Sequence, residues 1–281
     1  ELGIRLLKQD AADLVYDNVM HLTSSCLRPA LVAAPGTKLV AADLSNIEGR
    51  YLAWIAGEEW KLQAFRDFDT LTGEYNEEGE AIRKGPDIYK MAYAKSFNIH
   101  HSQVDKTGRQ VGKVQELALG FQGGPGAFMT FAAAYSLDLD EMADVAYDTL
   151  PKEIREEAEG FYEWSVEKKR NTFGLSKKAF VTCDSFKRLW REAHPNIVNL
   201  WAGLEEIFRS ATESTGREYT YGKFSAIREG QWLRLTMPSG RALCFPYPRV
   251  DENRISFMGV NQYTRRWERI STFGGKLVEN C

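Results

Sequence analysis

Residues 38–50, KLVAADLSNIEGR, constrain the fold more than any other stretch of this chain. The run Leu39-Val40-Ala41-Ala42 follows a Pro35-Gly36 turn signal and is too short for a helix, so it predicts a buried strand. The segment from Ile47 to Ala56 carries bulky apolar residues at Ile47, Leu52 and Ile55 and predicts a helix. Between them the chain delivers one acid, Asp43, and then a second, Glu48. A carboxylate where a core strand ends is costly to bury unless it is paired or holds a metal. The same acid could instead cap a helix or sit at an exposed strand end. This stretch alone leaves both readings open.

A second stretch, residues 107–128, reads TGRQVGKVQELALGFQGGPGAF. Thr107 with Gln110 three residues later has the form of a capping box and predicts a helix start, and the glycines from Gly120 onward predict its end. Arg109, Lys113, Leu117 and Phe121 recur every four residues. Each step drifts by only about 40° around a helix, so the four share one face. Two cations followed by two apolar residues suit an anionic ligand that also carries a ring. A partly solvated helix whose Arg and Lys snorkel gives the same pattern. The glycine cluster is not a Walker-type phosphate loop, because no Gly-Lys-Ser/Thr follows it.

The rest of the chain sorts into helical and sheet regions. Residues 4–20 show helical periodicity, residues 69–85 read as a polar loop or hairpin, and Asp87–Phe97 reads as a short amphipathic helix. Residues 127–213 are mostly helical, with a solvated charged face at PKEIREEAEG and a helix–Pro–helix break at His194-Pro195. His194 reads as a capping or core residue rather than a ligand. From Glu218 short alternating strands take over, with a turn at Ser239-Gly240. In the last segment Arg265, Arg266 and Arg269 interleave with Tyr263 and Trp267, which suits either a nucleic-acid surface or a solvated helix face. The net charge of −3 excludes a wholly basic coat but not a local basic groove. The four cysteines are scattered with no C-x-x-C, so neither a zinc site nor a disulfide framework is signalled and a reducing compartment fits. No signal peptide or membrane-length apolar run is present. Helical periodicity is already running at Glu1 and the pattern predicts a helix beginning at FGGKLVENC, so the chain is expected to be a fragment.

Taken together these motifs resemble the family A (polymerase I-like) DNA polymerases, especially the bacteriophage members. The segment DLSNIEGR at 43–50 is similar to the family's motif A, D-Y-S-Q-I-E-L-R. Arg109 and Lys113 are similar to the cations of its motif B, R-x3-K-x7-Y-G. Arg28, fifteen residues before Asp43, resembles the Arg of the R-x-A-F-x-A-P entry to motif A. WREAHPNIVNLW resembles a later fingers helix, and MPSGRALCFP, with Arg241, the G-R-R-x-Y-x-P hairpin. The resemblance runs in order over nearly the whole chain.

The resemblance implies an α+β fold: a right-hand polymerase palm of antiparallel sheet plus helices, interrupted by a mainly helical fingers domain and incomplete at both ends. The palm would comprise residues 1–50 and 217–281, the fingers 51–216, and the motif B helix about 107–120. The implied reaction is attack of a primer 3′-hydroxyl on the α-phosphate of a deoxynucleotide, with two Mg²⁺ ions serving attacking and leaving oxygens. Asp43 would bridge both ions, the Leu44 carbonyl would touch the nucleotide-side ion, and a second carboxylate would lie outside this chain. Arg109 and Lys113 would hold the triphosphate, with Arg28 and Tyr89 near it. Glu48 would block a ribose 2′-hydroxyl, Leu117 would lie near the sugar 3′ position, and Phe121 would pack beside Glu48 and the base. Arg241, Arg265 and Arg266 would bind DNA. The implied partners are primer–template DNA and dNTPs, with no membrane. The protein would act as a monomer in the cytoplasm, the host's if phage-encoded.

The sequence also departs from the family. Phe121 replaces a Tyr whose hydroxyl would bond Glu48, Leu117 replaces an aromatic residue, Tyr89 replaces a His, and motif C, H-D-E, is absent. A non-catalytic nucleic-acid-binding relative and a single-subunit RNA polymerase are the alternative readings.

Overall fold

The apolar run at 39–42 does not become a strand. In the computed structural model, which describes residues 2–135, 137–252 and 254–281, the chain from 31 to 46 has no helix or strand and only turns at Pro35-Gly36 and Ser45-Asn46. A strand needs a partner for its backbone donors and acceptors. No strand lies among the described residues of 1–45, so Leu39 and Val40 find neither a ladder nor a core within that unit.

Residues 1–45 form one compact unit and 46–281 another. In the first, the helix expected across 4–20 is broken. Helix α1 (Leu2–Lys8) ends where Asp10 turns left-handed with φ 52°. The Ala11 N–H reaches back to the Leu6 carbonyl at 3.0 Å, closing the helix end much as a glycine would. Helix α2 (Val19–Leu27) restarts from Asn18, whose side chain accepts from the His21 N–H at 2.8 Å. A 3₁₀ turn at Arg28–Ala30 follows.

The second unit opens with α3 (Ile47–Ala56), the helix expected there. Gly57, at φ 71°, lets the chain turn at once into α4 (Glu59–Asp69). Arg50 grips Asp69 with two bonds of 2.6 and 2.8 Å and tethers the α3–α4 hairpin. The polar stretch after it is an antiparallel pair, β1 (Leu71–Tyr75) and β2 (Ala81–Arg83). Then come α5 (Ile88–Phe97), α6 (Lys106–Leu119), α7 (Pro125–Ala134), α8 (Leu139–Ala146) and α9 (Lys152–Glu167). Helices α10 (Lys177–Ala193) and α11 (Pro195–Glu213) meet at His194, as the Pro195 break predicts.

Helix α11 carries the core. Its apolar face, including Leu204, Ile207, Phe208 and Ala211, packs on an antiparallel sheet of β3 (Glu218–Tyr221), β4 (Phe224–Glu229), β5 (Trp232–Thr236) and β6 (Ala242–Pro246). Alternation along β5 buries Leu233 and Leu235 and exposes Trp232 and Arg234, the pattern of a sheet with one face on the core. Each such Leu or Phe contributes about 1.5–3 kcal/mol by leaving water. A second antiparallel sheet follows, β7 (Arg249–Asp251), β8 (Arg254–Val260) and β9 (Trp267–Thr272), joined to the first by the edge-on pair Phe245 and Phe257, 4.9 Å between centroids. The last helix is α12 (Gly274–Glu279). The second unit is thus α+β with small antiparallel sheets. The solvated-helix alternative for 255–280 is corrected: Arg265 and Arg266 lie on the turn of the β8–β9 hairpin, whose ladder pairs Val260 with Trp267.

Candidate active site

Helix α6 starts one residue earlier than the sequence predicts and by a different cap. Asp105, not Thr107, is the N-cap, and its carboxylate accepts from the Gly108 N–H at 2.7 Å. An aspartate there satisfies an open N–H and also meets the positive end of the helix dipole. Along the helix Val111, Gly112, Val114, Gln115, Glu116, Ala118 and Leu119 are buried, whereas Arg109, Lys113, Leu117 and Phe121 stay partly exposed. The four-residue spacing therefore does mark the helix's open edge.

Two glycines on α6 let α5 come close. A Cβ at Gly112 would overlap the Tyr89 carbonyl, and one at Gly108 would meet the Tyr93 ring at 2.9 Å. That approach brings Asp87 and Tyr89 against Arg109. The Arg109 Nε donates to Asp87 Oδ2 at 2.6 Å, and its guanidinium lies 5.2 Å from the Tyr89 ring centroid. Asp87 is held by its second oxygen, which accepts from the Lys90 N–H at 2.9 Å and caps α5. Lys113 Nζ sits 4.2 Å from the Tyr135 ring centroid. Neither cation merely snorkels; each rests on groups that a stronger anion could displace.

The lower half of the same stripe faces α3. Glu48, Leu117 and Phe121 line one narrow cleft between α3 and α6, with Asn46, Lys61 and Glu116 on its walls and floor. Asn46 starts α3 in the left-handed region with φ 55°, and its Nδ2 is buried with no hydrogen-bond partner. Residues far apart in the chain, one group from the 43–50 motif and one from the 107–128 stretch, thus meet.

The floor of that cleft is charged. Lys61, only 1% exposed, forms an ion pair with Glu116. The other Glu116 oxygen accepts from Trp190 Nε1 at 2.9 Å. His194 donates from Nδ1 to the Trp190 carbonyl at 2.6 Å, which leaves Nε2 as the acceptor facing Lys61 Nζ at 3.3 Å. Burial opposes the charge on Glu116, but the neighbouring Lys61 ammonium and the hydrogen bonds outweigh it and hold the carboxyl below its usual range. Burial and then the Lys61 charge push His194 down to about 3, so it is neutral here. Its ring stacks on Trp190, centroids 3.8 Å apart. His194 is a core and capping residue, as its place beside Pro195 predicts. Sequence reasoning missed Lys61, Glu116 and Trp190. The available signal was a lysine at a buried position of α4, on the face it shares with Ala64 and Phe65.

Other residues singled out from sequence lie elsewhere. Arg28, Asp43 and Leu44 belong to the first unit, where Arg28 opens the 3₁₀ turn and Asp43 and Leu44 lie on irregular chain. Among the described residues of that unit no hydrogen bond or ion pair takes up the Asp43 carboxylate. Arg241 lies on the β5–β6 turn, and Arg265 and Arg266 on the β8–β9 turn beside Tyr263, which is 94% exposed. These arginines therefore sit on turns of different sheets. Gln122, standing where the motif B pattern has Gly, adopts φ 67°, and its Oε1 accepts from the Gly275 N–H at 2.8 Å.

Comparison with known proteins finds relatives named as DNA polymerases. The chain is 27% identical to the DNA polymerase of Bacillus phage SP02 over 279 residues, 96% of this chain and 34% of that protein. The chain is therefore similar, over nearly its whole length, to a phage DNA polymerase. It also matches the DNA polymerase I of Chloroflexus aurantiacus at 34% identity over 87 residues, 31% of this chain and 7% of that protein. The chain spans about a third of the length of the phage polymerase it matches. No family model and no solved structure matches it. No helix among the described residues is long and apolar enough to cross a membrane.

Proposed function

We propose that this chain supplies palm and fingers elements of a template-directed DNA polymerase that extends a primer with dNTPs. One observation carries the reading: Glu48 of the motif A stretch and Leu117 and Phe121 of the motif B helix line the same cleft. In this reading α6 is the fingers helix, and the nucleotide lies along its open edge. Arg109 and Lys113 would exchange Asp87 and Tyr135 for the triphosphate, with Tyr89 beside them. Phosphoryl transfer needs positioning and charge neutralisation, and a helix edge bearing two cations supplies both. The base would stack on Phe121. Glu48 would crowd a 2′-hydroxyl and so select deoxyribose. Arg241, Arg265 and Arg266 would contact DNA phosphates.

Magnesium fits the donor chemistry of this chain only in part. Asp43 offers a carboxylate and Leu44 a carbonyl, hard oxygen ligands of the kind Mg²⁺ takes alongside substrate phosphates. Among the described residues no three His, Cys, Asp or Glu side chains gather, and Asp43 is the one carboxylate of this chain proposed as a ligand. When bound, the ion would neutralise the triphosphate and polarise the reacting phosphorus. Asp43 would hold it in place and Glu48 would orient the sugar.

The test is primer extension by the protein encoded by the complete reading frame. Extension with dNTPs is expected, and Asp43→Ala should abolish it while leaving the circular dichroism spectrum unchanged. Full activity in Asp43→Ala would remove this residue from the reaction, and preference for ribonucleotides would move the protein to the RNA polymerases.

A further inference from the structure

The apolar side of the narrow cleft between α3 and α6 lacks a feature that the proposed function would call for. Glu48 must be held in one place to discriminate between sugars, yet Leu117 and Phe121, which face it from α6, carry no polar atom to hold it or to fix the helix against it. The polar connection from α6 to the α3–α4 hairpin lies one layer deeper, where Glu116 meets Lys61. This pair is buried at both ends and braced on its far side. Trp190 donates to Glu116, His194 accepts from Lys61, and the Trp190 ring lies 5.3 Å from the Lys61 ammonium. Helix α4 is in turn secured to the start of α11, where Glu58 accepts from the Asn196 N–H at 3.0 Å. The pair therefore joins α4, α6 and α10 at a point directly beneath the cleft.

We infer that Lys61 and Glu116 are positioning residues for sugar selection: their buried ion pair sets α6 against the α3–α4 hairpin so that Glu48 and Phe121 keep a fixed spacing. An ion pair suits this task better than apolar packing. An apolar contact tolerates sliding, whereas a hydrogen-bonded charge pair in a low-dielectric site has one good geometry. The inference rests on the polymerase reading of the cleft.

It is tested by single-nucleotide incorporation with the complete protein, comparing efficiency for a dNTP and the matching rNTP. Glu116→Gln and Lys61→Met should each lower the preference for deoxyribose about tenfold. Because either leaves a buried group unmatched, the double variant Lys61→Met/Glu116→Gln, which removes both charges, is measured beside them, with folding followed by circular dichroism. Adding Phe121→Tyr to these variants should restore most of the preference, since its hydroxyl would enter the cleft beside Glu48 and bond the carboxylate directly. A purely structural role would lower the melting temperature, leave the sugar ratio alone and gain nothing from Phe121→Tyr. Folded variants that keep the wild-type ratio overturn the inference, as does failure of Phe121→Tyr to restore a ratio that has fallen. A wild-type protein that incorporates neither sugar overturns the polymerase reading itself, and this inference with it.

Discussion

His194 shows how one residue's surroundings set its chemistry. Its ring is sealed between Trp60 and Trp190 and faces a lysine, so the folded state holds it neutral down to about pH 3. An unfolded His binds a proton near pH 6.5. Between those values the unfolded chain holds more protons than the folded one, so stability is complete above pH 6.5 and drains as pH falls. The slope approaches about 1.4 kcal/mol per pH unit, and Glu116, whose carboxyl is also held low, adds in the same direction at the acid end. Denaturant midpoints of the second unit should fall steadily from pH 6.5 to pH 4, and His194→Gln should flatten that fall. Equal slopes in the two proteins would remove His194 from the account.

Gln122 makes a second prediction at the same scale. A left-handed backbone costs a non-glycine residue about 1 kcal/mol or more, and here the side chain recovers part of that through its bond to Gly275. Gln122→Gly loses the bond but relieves the backbone, whereas Gln122→Ala loses the bond and keeps the strain. Thermal melts should therefore rank Gly above Ala by about 1 kcal/mol. Leu117 bears on substrate choice instead. A branched aliphatic chain stands at the place proposed for the sugar 3′ edge, so Leu117→Phe and Leu117→Tyr should change the rate of dideoxynucleotide incorporation relative to wild type, read on a chain-termination gel. Identical profiles in all three would separate Leu117 from the sugar.

At the scale of elements, the α5–α6 contact governs the proposed phosphate end of the site. Gly112 lies between Arg109 and Lys113 in sequence, and its missing side chain is what lets the Tyr89 backbone rest on α6. Gly112→Ala must push the helices apart, because backbone cannot swing away as a flexible side chain can. The expected loss is about 1–3 kcal/mol of stability, from overpacking. The same displacement moves Tyr89, which the proposed site places beside Arg109, so nucleotide affinity should fall further than stability alone explains. Gly160→Ala, at an exposed site on α9 with open space around its Cβ position, is the control and should stabilise slightly. Equal effects of the two substitutions on nucleotide affinity would contradict this account.

At the scale of the whole molecule, the two units divide the proposed chemistry. Asp43 lies on irregular chain in the first, and the cations and Glu48 lie on helices of the second. The chain spans about a third of the phage polymerase it matches, and among its described residues no metal-ligating cluster forms. On the polymerase reading, the 281-residue chain by itself should show little or no primer extension, because it spans about a third of its phage relative. Robust extension by it would refute this.

The sequence by itself determined the elements whose signals are local. Periodicity and Pro195 define α3, α5, α10 and α11, the Gly-punctuated polar run allows a loop or the β1–β2 hairpin that forms, and four-residue spacing marks the open edge of α6. Each of these depends on bonds or faces within a few residues. Only the tertiary structure decided the rest. Leu39–Ala42 has the composition of a strand, but a strand is made by its neighbour, and the described residues of 1–45 hold none. The interleaved arginines and aromatics near 265 form a hairpin rather than a helix because their partners lie across the β8–β9 ladder. The Lys61–Glu116 pair was illegible for a related reason. A lysine and a glutamate far apart in the chain announce nothing, and burial beside Trp190 and His194 is what turns them into a fixed link beneath the cleft.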